Sequence, residues 1–267
     1  MTLRLPTLAL LQTLFAAATV AASLAPANAA DDLARIEHDK VLRVAIPTDF
    51  PPYGFVDSSM KPQGLDVSMA EYVASQLHVK AELVPATSAN RIPYLQSGKV
   101  DLVISTLGKT ADREKVIDFS HAYSPFFLAV YGPRSMSIHD PAQLAGKTIA
   151  VTRGSVEDIQ LSKVAPASTT IQRFGDNAST ISAFVSGQVQ LVATGVSVAA
   201  TMIQHNPSLH AQLQFVLKDS PNFIGVAKNQ PALLARVNTI VEHAKADGEL
   251  DKLSEHWLGR PAGQLPQ

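Results

Sequence analysis

The feature that most limits the fold of this 267-residue chain is a repeated alternation of strand-type and helix-type hydrophobic patterns. In the first half, short apolar runs alternate with segments that have the pattern of helices. In chain order they are a strand at 41–46, a helix at 65–77, a strand at 81–84, a helix at 89–97 and a strand at 102–104. This β-α-β-α-β order predicts a parallel sheet with ligand sites at the carboxyl ends of its strands.

A second set of alternating segments follows a long apolar, aromatic-rich run at 123–131. Its elements in chain order are a strand at 148–152, a helix at 155–164, a strand at 170–174, a helix at 177–186, a strand at 191–193, a helix at 196–205, strands near 213–217 and 223–227, and a final helix at 233–244. Two similar sets joined by extended apolar segments predict an α/β protein with two lobes and a cleft between them.

The first 29 residues have the pattern of an export signal. Arg4 supplies a positive start, residues 8–24 form an almost uncharged Leu/Ala-rich core, and Ala27-Asn28-Ala29 fits a small-residue cleavage site. We therefore predict a signal peptide over 1–29 and an exported mature chain that begins near Ala30, with no stable membrane insertion. The alternative is a membrane anchor, since the apolar run is nearly long enough to cross a bilayer. Cleavage is favoured because no basic stop-transfer cluster follows the run.

Composition excludes several functions. A formal net charge of −1 leaves no excess of basic side chains for a polyanion, so no nucleic-acid partner is expected. The absence of cysteine excludes disulfides, thiolate metal sites and a cysteine nucleophile. The eight histidines are scattered without an HExxH spacing, which argues against a catalytic zinc ion. No cofactor is expected.

Residues 105–120, which follow the apolar strand at 102–104, have the composition of an anion site. Small hydrogen-bonding residues lead to Arg113, which stands at a predicted helix start. Backbone N–H groups at a helix N-terminus and a guanidinium fork both bind carboxylates. We therefore predict that Arg113 grips the carboxylate of a small ligand. The alternative is a surface arginine paired with a neighbouring acidic residue.

Several segments carry a resemblance to a known family. They are LRVAIPTDFPPYGF at 42–55, GLDV at 64–67, NRIPYL at 90–95, SGKVD at 97–101, the segment 110–120 around Arg113, GKTIAV at 146–151 and GS at 154–155. Their order and spacing resemble the periplasmic solute-binding proteins of polar amino-acid ABC transporters (family 3) over essentially the whole mature chain. The stretch TSANRIPYL is most similar to the glutamate/aspartate-binding branch.

The resemblance implies a two-lobed periplasmic-binding-protein fold, in which each lobe is a central, mostly parallel sheet flanked by helices. Lobe 1 would comprise residues 32–127 and 225–267, and lobe 2 residues 131–222. The chain would cross between lobes near 128–131 and near 222–225. Two such crossings form a hinge that closes on a ligand to the extent that the ligand touches both lobes.

The resemblance also implies ligand contacts from lobe 1. Arg113 would bind the α-carboxylate, with Ser105 and Thr106 as walls of the pocket. Gly108 stands where the family often has a hydroxyl, so it offers only its N–H. Arg91 would contact an acidic ligand group, whereas its alternative is a solvated helix arginine.

Further contacts are expected on both sides of the cleft. Phe50 would cover the ligand, and Asp49 either receives an ammonium group or caps a turn. In lobe 2, Ser155 would cap a helix, and the N–H groups of Ser155 and Val156 would point into the cleft. Arg153 would add a third cation, or else pair with a nearby carboxylate.

One departure from the family pattern bears on the ligand. Amino-acid binders usually place an aspartate near position 195 to take the α-ammonium group, and this chain has Thr194 and Gly195 there. An ammonium group without an anion in a closed cleft is costly. Either another carboxylate such as Asp49 serves, or the ligand is a dicarboxylate or keto acid without an α-amino group.

The resulting prediction is a monomeric periplasmic protein that delivers a polar or acidic amino acid to an inner-membrane ABC permease, without catalysis. A hydrolase is disfavoured because Ala199 breaks the G-x-S-x-G pattern after the strand at 191–193. A dehydratase on the same scaffold would need a general acid or base, for which the sequence offers only Asp49. A sensor module would need a membrane-spanning helix, and none is predicted after the signal.

Overall fold

A computed structural model describes residues 32–266, so the predicted signal peptide lies outside the described residues. The helices are α1 (Asp32–Asp39), α2 (Leu65–Gln76), α3 (Arg91–Gln96), α4 (Ala111–Glu114), α5 (Val156–Val164), α6 (Asn177–Val185), α7 (Val196–His205), α8 (Pro231–Ala246) and α9 (Glu249–Leu258). The strands are β1 (Val41–Ile46), β2 (Asp49–Phe50), β3 (Gly54–Val56), β4 (Pro62–Gln63), β5 (Lys80–Pro85), β6 (Leu102–Gly108), β7 (Ile117–Ser124), β8 (Phe127–Pro133), β9 (Thr148–Thr152), β10 (Thr170–Phe174), β11 (Leu191–Gly195), β12 (Ala211–Asp219) and β13 (Asn222–Ala227).

Two five-stranded sheets organise these elements. The first has the strand order β5-β1-β6-β13-β7, and the second has the order β10-β9-β11-β8-β12. Within each sheet four strands run in one direction, and the reversed strand is β13 in the first sheet and β8 in the second. The predicted α/β class with mostly parallel sheets is therefore confirmed.

The chain passes between the sheets twice, and a proline stands at each passage. Strand β7 ends at Ser124 and β8 begins at Phe127, so Pro125 lies between them; Pro221 separates β12 from β13 in the same way. Proline has no N–H for a strand ladder, which suits it to these positions. The two passages are adjacent, because the Ser220 N–H donates to the Phe126 carbonyl at 2.9 Å.

The observed passages lie a few residues before the predicted crossings. Residues 128–131 fall inside β8, and residues 222–225 fall inside β13. The sequence predicts one extended apolar segment at 123–131, whereas in the structure Pro125 divides this run between the two sheets. We propose that each sheet with its covering helices forms one lobe, with the hinge at 125–126 and 220–221.

Helices cover the sheets through their apolar faces. In the first sheet every residue of β6 is buried, and α2 packs Met69 and Val73 against this region with no exposed surface. Helix α8 adds a regular apolar stripe of buried residues, namely Leu233, Val237, Ile240, Val241 and Ala244. The 3.6-residue period of these positions explains why the sequence predicted both helices. Between residues 32 and 266, no helix combines the length and apolarity that a bilayer span requires.

Some elements were not predicted. Helix α1 is short and polar, and the three-stranded sheet β2-β3-β4 consists of strands of two or three residues. Helix α9 has only two buried residues, Leu250 and Ser254. Short or weakly buried elements carry too few apolar positions for periodicity to reveal them.

Asp101, at the start of β6, ties the first sheet to α1. Its Oδ2 accepts from the Arg43 backbone N–H at 2.8 Å, and its own N–H donates to the Arg43 carbonyl at 2.8 Å. The guanidinium groups of Arg43 and Arg35 both donate to Oδ1. The Asp101 side chain is 1% exposed, so this charge depends on those donors.

We expect Asp101→Ala to lower the free energy of unfolding by about 2–3 kcal/mol, because it removes charge-assisted hydrogen bonds at a buried position. The measurement is urea-induced unfolding followed by circular dichroism at pH 7. Asp112→Ala is the matched control, because that side chain is 81% exposed and pairs with Lys115, so its loss should leave the urea midpoint close to that of the wild type. Equal losses in the two variants would contradict the structural role of Asp101.

Candidate functional site

A cavity lies where two units of the protein meet. The first unit is built on the sheet β5-β1-β6-β13-β7, and the second unit is built on the sheet β10-β9-β11-β8-β12. The volume of the cavity is about 340 Å³, a figure that includes the space at its mouth. The lining residues are Pro47, Phe50, Ala86, Ser88, Arg91, Ser105, Thr106, Phe126, Ser155, Glu157 and Asn177. The first eight precede β8, and the last three belong to the second unit.

Arg91 supplies a buried cation to the cavity wall. As the first residue of α3 it is only 4% exposed, and its Nη1 donates to the Ser105 carbonyl and, at 3.4 Å, to that of Thr106. Its Nε is buried and has no hydrogen-bond partner among the described residues. Burial lowers the pKa of Arg91 to about 10, so the guanidinium keeps its charge at neutral pH. The alternative of a solvated arginine does not fit this burial.

Arg113 joins the two units and does not line the cavity. Its Nη1 donates to the Gly108 carbonyl at 2.6 Å, and its Nη2 donates to the Gly154 carbonyl of the second unit at 2.9 Å. Burial and, to a lesser extent, the Arg91 charge lower the pKa of Arg113 to about 9, against an opposing effect of the Glu157 charge. The three charged groups therefore interact electrostatically.

The predicted helix-start donors near Arg113 are only partly available. Helix α4 has four residues, and the Arg113 N–H donates to the Thr110 Oγ1 at 3.3 Å. This amide is occupied by the helix cap. Ligand binding by this segment stays a prediction, and the contact would come from the Arg113 side chain and not from its backbone N–H.

A buried carboxyl group lies behind the cavity wall and holds Thr106. Asp66 accepts from the Thr106 hydroxyl at 2.7 Å and from the Tyr123 hydroxyl at 2.7 Å. Thr106 has a φ of 48°, a left-handed conformation that is strained for a β-branched residue. The bond to Asp66 helps to fix that conformation, in which the Thr106 carbonyl faces Arg91. Burial raises the pKa of Asp66 to about 6.

The second unit contributes the start of α5. The Ser155 hydroxyl caps this helix by accepting from the Asp158 N–H at 3.1 Å, as the sequence predicted. The Ser155 N–H, which was expected to point at a ligand, donates instead to the Thr152 carbonyl at 3.1 Å. That bond closes the turn between β9 and α5, so this amide is occupied.

Glu157, in the first turn of α5, was not predicted as a site residue. It lines the cavity at 5% exposure, and its Oε1 is buried without a hydrogen-bond partner among the described residues. Burial raises the pKa of this carboxyl, whereas hydrogen bonds from its own N–H and from Ser155, and the charges of Arg91 and Arg113, lower it. The signal in the sequence was an acidic residue in the first turn of a helix that follows a strand end.

Asp49 links the two units instead of capping its own turn. Its carboxylate accepts from the Asn177 N–H at 2.8 Å, from the Asn177 side-chain amide at 2.9 Å and from the Ala178 N–H at 3.1 Å. These donors belong to the first turn of α6 in the second unit, where a carboxylate is also favoured by the helix dipole. Both Asp49 oxygens are therefore occupied in this arrangement.

Three further predicted site residues, like Arg113, Asp49 and Gly108, do not line the cavity. Arg153 is exposed, and its Nη2 donates to the Arg173 carbonyl at 3.4 Å. The expected pairing with a nearby carboxylate is not present among the described residues, because Asp158 bonds to Arg173 at 2.8 Å. Val156 is a buried core residue, and Thr194 is buried in β11 opposite Ala129. Their ligand contacts stay predictions.

Two glycines are required by close packing at the cavity. A Cβ at position 195 would lie 2.5 Å from Cε2 of Phe126, the ring of which lines the cavity. A Cβ at position 108 would lie 2.6 Å from the Ser220 hydroxyl and 2.7 Å from Cγ2 of Val156. The packing in this structure therefore leaves no space for an aspartate at 195 or for a hydroxyl-bearing side chain at 108.

The chain belongs to the bacterial extracellular solute-binding proteins, family 3, the model of which matches residues 42–260. This match confirms the family resemblance. The predicted nearness to the glutamate/aspartate branch stays a prediction.

Relatives and solved structures agree with this family. The ABC transporter glutamine-binding protein GlnH of Bacillus subtilis is 27% identical over 235 residues, which are 85% of each chain. An ancestral arginine-binding protein bound to arginine shares 34% identity at a TM-score of 0.79, over 82% of this chain and 99% of that chain. An ancestral amino acid-binding protein, described as a precursor of cyclohexadienyl dehydratase, shares 30% identity at a TM-score of 0.78, over 85% of this chain and 99% of that chain.

We expect Asp49→Ala to loosen the contact between the two units. The loss of three hydrogen bonds at a helix start should lower the free energy of unfolding by about 1–2 kcal/mol and raise the radius of gyration of the ligand-free protein. Small-angle X-ray scattering measures the second effect.

Asp57→Ala is the matched control for this change. Asp57 also accepts from three donors, in Ser59, Lys61 and Gln63, but all of them lie in the first unit, in the loop after β3 and in the adjoining β4. Its loss should cost stability without changing the radius of gyration. If Asp49→Ala leaves the radius as unchanged as Asp57→Ala does, the cross-cleft role of Asp49 is refuted.

Proposed function

We propose that this protein is the periplasmic substrate-binding component of an ABC importer, and that it holds a polar or acidic amino acid between its two lobes. Residues 1–29 direct export and are cleaved. The mature protein acts as a monomer and hands its ligand to an inner-membrane permease. The family, and relatives named for glutamine and arginine binding, support the class of ligand.

One observation carries the proposal: Arg91 lines the cavity and has a buried guanidinium N–H, that of Nε, without a hydrogen-bond partner among the described residues. A buried donor on a cation costs free energy until an acceptor reaches it. A carboxylate meets this need with two oxygens in one plane, which is the geometry that a guanidinium favours. Arg113, coupled electrostatically to Arg91, stabilises the same negative charge.

The ligand would also provide the reason for closure. Arg91, Ser105, Thr106 and Phe50 come from one unit, and the start of α5 comes from the other. A molecule that contacts both walls binds the closed form more tightly than the open form, so binding shifts the population toward closure. Specificity and closure then depend on the same contacts.

A thermal-shift screen tests the proposed function. The probes are the twenty standard L-amino acids and L-cystine, together with matched dicarboxylates and keto acids. A ligand at 100 times its Kd stabilises the folded state by about 2.7 kcal/mol, which gives a clear rise in Tm. At least one amino acid should produce that rise. A screen in which no small carboxylate shifts the transition would contradict the proposal.

The dehydratase alternative is kept because of Glu157. The sequence offered no acid beyond Asp49, whereas the structure places the buried Glu157 carboxyl on the cavity wall with a raised pKa. Such a group is suited to act as a general acid. Consumption of a prephenate-like substrate, with no thermal shift from any amino acid, would favour this enzyme over a binding protein.

We expect Arg91→Ala to weaken binding of the best amino acid from the screen by at least about 3 kcal/mol, about 150-fold, because it leaves a desolvated carboxylate without its main partner. Isothermal titration calorimetry measures the change. Arg236→Ala is the control, because Arg236 is an exposed residue of α8 that donates to the Gln76 carbonyl. An Arg91→Ala protein that binds with the affinity of the Arg236→Ala protein would show that the carboxylate lies elsewhere.

A further inference from the structure

We infer that Glu157 is the group that accepts the ligand's α-ammonium, in place of the strand-end carboxylate that position 195 lacks. This inference rests on the proposed function, since it assigns the second pole of the same ligand. It makes Glu157 a specificity-determining residue, which selects α-amino acids over dicarboxylates and keto acids.

Two residues that line the cavity have buried polar atoms without hydrogen-bond partners among the described residues. Among the described residues, five buried side-chain atoms have no hydrogen-bond partner, and two of them belong to residues that line the cavity: Nε of Arg91 and Oε1 of Glu157. One is a donor on a cation and the other an acceptor on a carboxyl group. A ligand with a carboxylate and an ammonium group satisfies both atoms at once. A keto acid or a dicarboxylate satisfies only the first.

The alternatives to Glu157 are excluded by packing and hydrogen bonding. Position 195 has no room for a side chain, because a Cβ there would lie 2.5 Å from the Phe126 ring. Asp49 already accepts three hydrogen bonds from Asn177 and Ala178. Asp66 already accepts from the hydroxyl groups of Thr106 and Tyr123, and it does not line the cavity. Of the acidic side chains among the described residues, Glu157 alone lines the cavity.

The charges around the cavity also favour a ligand with an ammonium group over a dicarboxylate. Arg91 and Arg113 are two buried cations, and Glu157 and Asp66 are two buried carboxyl groups whose charges interact with Arg91. A zwitterion adds no net charge to this set. A dicarboxylate would bring two negative charges beside Glu157, and like charges in a closed, desolvated site are costly.

The experiment compares two ligands on two proteins. The ligands are the amino acid with the largest thermal shift in the screen and its des-amino analogue, in which hydrogen replaces the α-amino group, such as glutarate for L-glutamate. The proteins are the wild type and Glu157→Gln, which keeps the size of the side chain and removes its charge. Calorimetric titration at pH 7.5 gives the four values of Kd.

The wild type should prefer the amino acid over its des-amino analogue by at least about 30-fold, and Glu157→Gln should reduce this preference to about 3-fold or less. The des-amino analogue should bind Glu157→Gln at least as tightly as it binds the wild type, because the repelling carboxylate is gone. Glu37→Gln, at an exposed residue of α1, makes the same change of charge away from the cavity and should keep the wild-type preference. Circular dichroism and the Tm of each ligand-free variant establish that it is folded.

Several results would overturn the inference. An unchanged preference in Glu157→Gln, or a wild type that prefers the des-amino analogue, refutes the role of Glu157 and leaves the proposed function standing. Turnover of a prephenate-like substrate that is lost in Glu157→Gln would make Glu157 a general acid instead. A wild type that binds neither class of small carboxylate removes the proposed function itself, and the inference with it.

Discussion

Two buried charged side chains, Arg91 and Glu157, lie where the two units meet, and the rest of the site depends on how their charges are satisfied. Arg91 and Glu157 each keep one buried polar atom without a hydrogen-bond partner among the described residues. Desolvating such groups costs several kcal/mol unless a complementary group replaces the lost water. The fold tolerates this cost because Arg91 also donates to two carbonyl groups of β6 and because the negative charge of Glu157 attracts both arginines. The site therefore has an unsatisfied donor on the Arg91 cation and an unsatisfied acceptor on the Glu157 carboxyl group.

Close packing around the cavity limits where a carboxyl group for the ligand's ammonium group can lie. The Phe126 ring fills the space beside Gly195, and Gly108 lets β6 approach Val156 of the second unit. Asp49 reaches across to the first turn of α6, so the two units are joined by hydrogen bonds within the protein. On the proposed function, these bonds supply part of the free energy that holds the two units together, and a ligand supplies the rest.

Much of the fold followed from sequence periodicity, whereas the site followed only in part. The bounds of β1 and β9 agree with the predicted strands, because mostly buried strands read as apolar runs between turn signals. The bounds of β10 agree as well, although none of its residues is buried. The sequence also identified Arg91 as a pocket residue through its motif. It did not reveal Glu157 or the cross-cleft bonds of Asp49, since both depend on which segments of the two units meet. An acidic residue in a first helical turn is common, and local pattern alone does not distinguish a solvated carboxylate from one that faces a cavity.

The central claim is that one small zwitterion bridges the two units between Arg91 and Glu157. The most direct test is a crystal structure of the protein with its best-binding amino acid. We predict the ligand carboxylate within about 3 Å of the Arg91 guanidinium and the ammonium group within about 3 Å of a Glu157 oxygen, which are ordinary distances for charge-assisted hydrogen bonds. A ligand whose ammonium group instead contacts Asp49 or only water, with Glu157 left unpaired, would contradict this account.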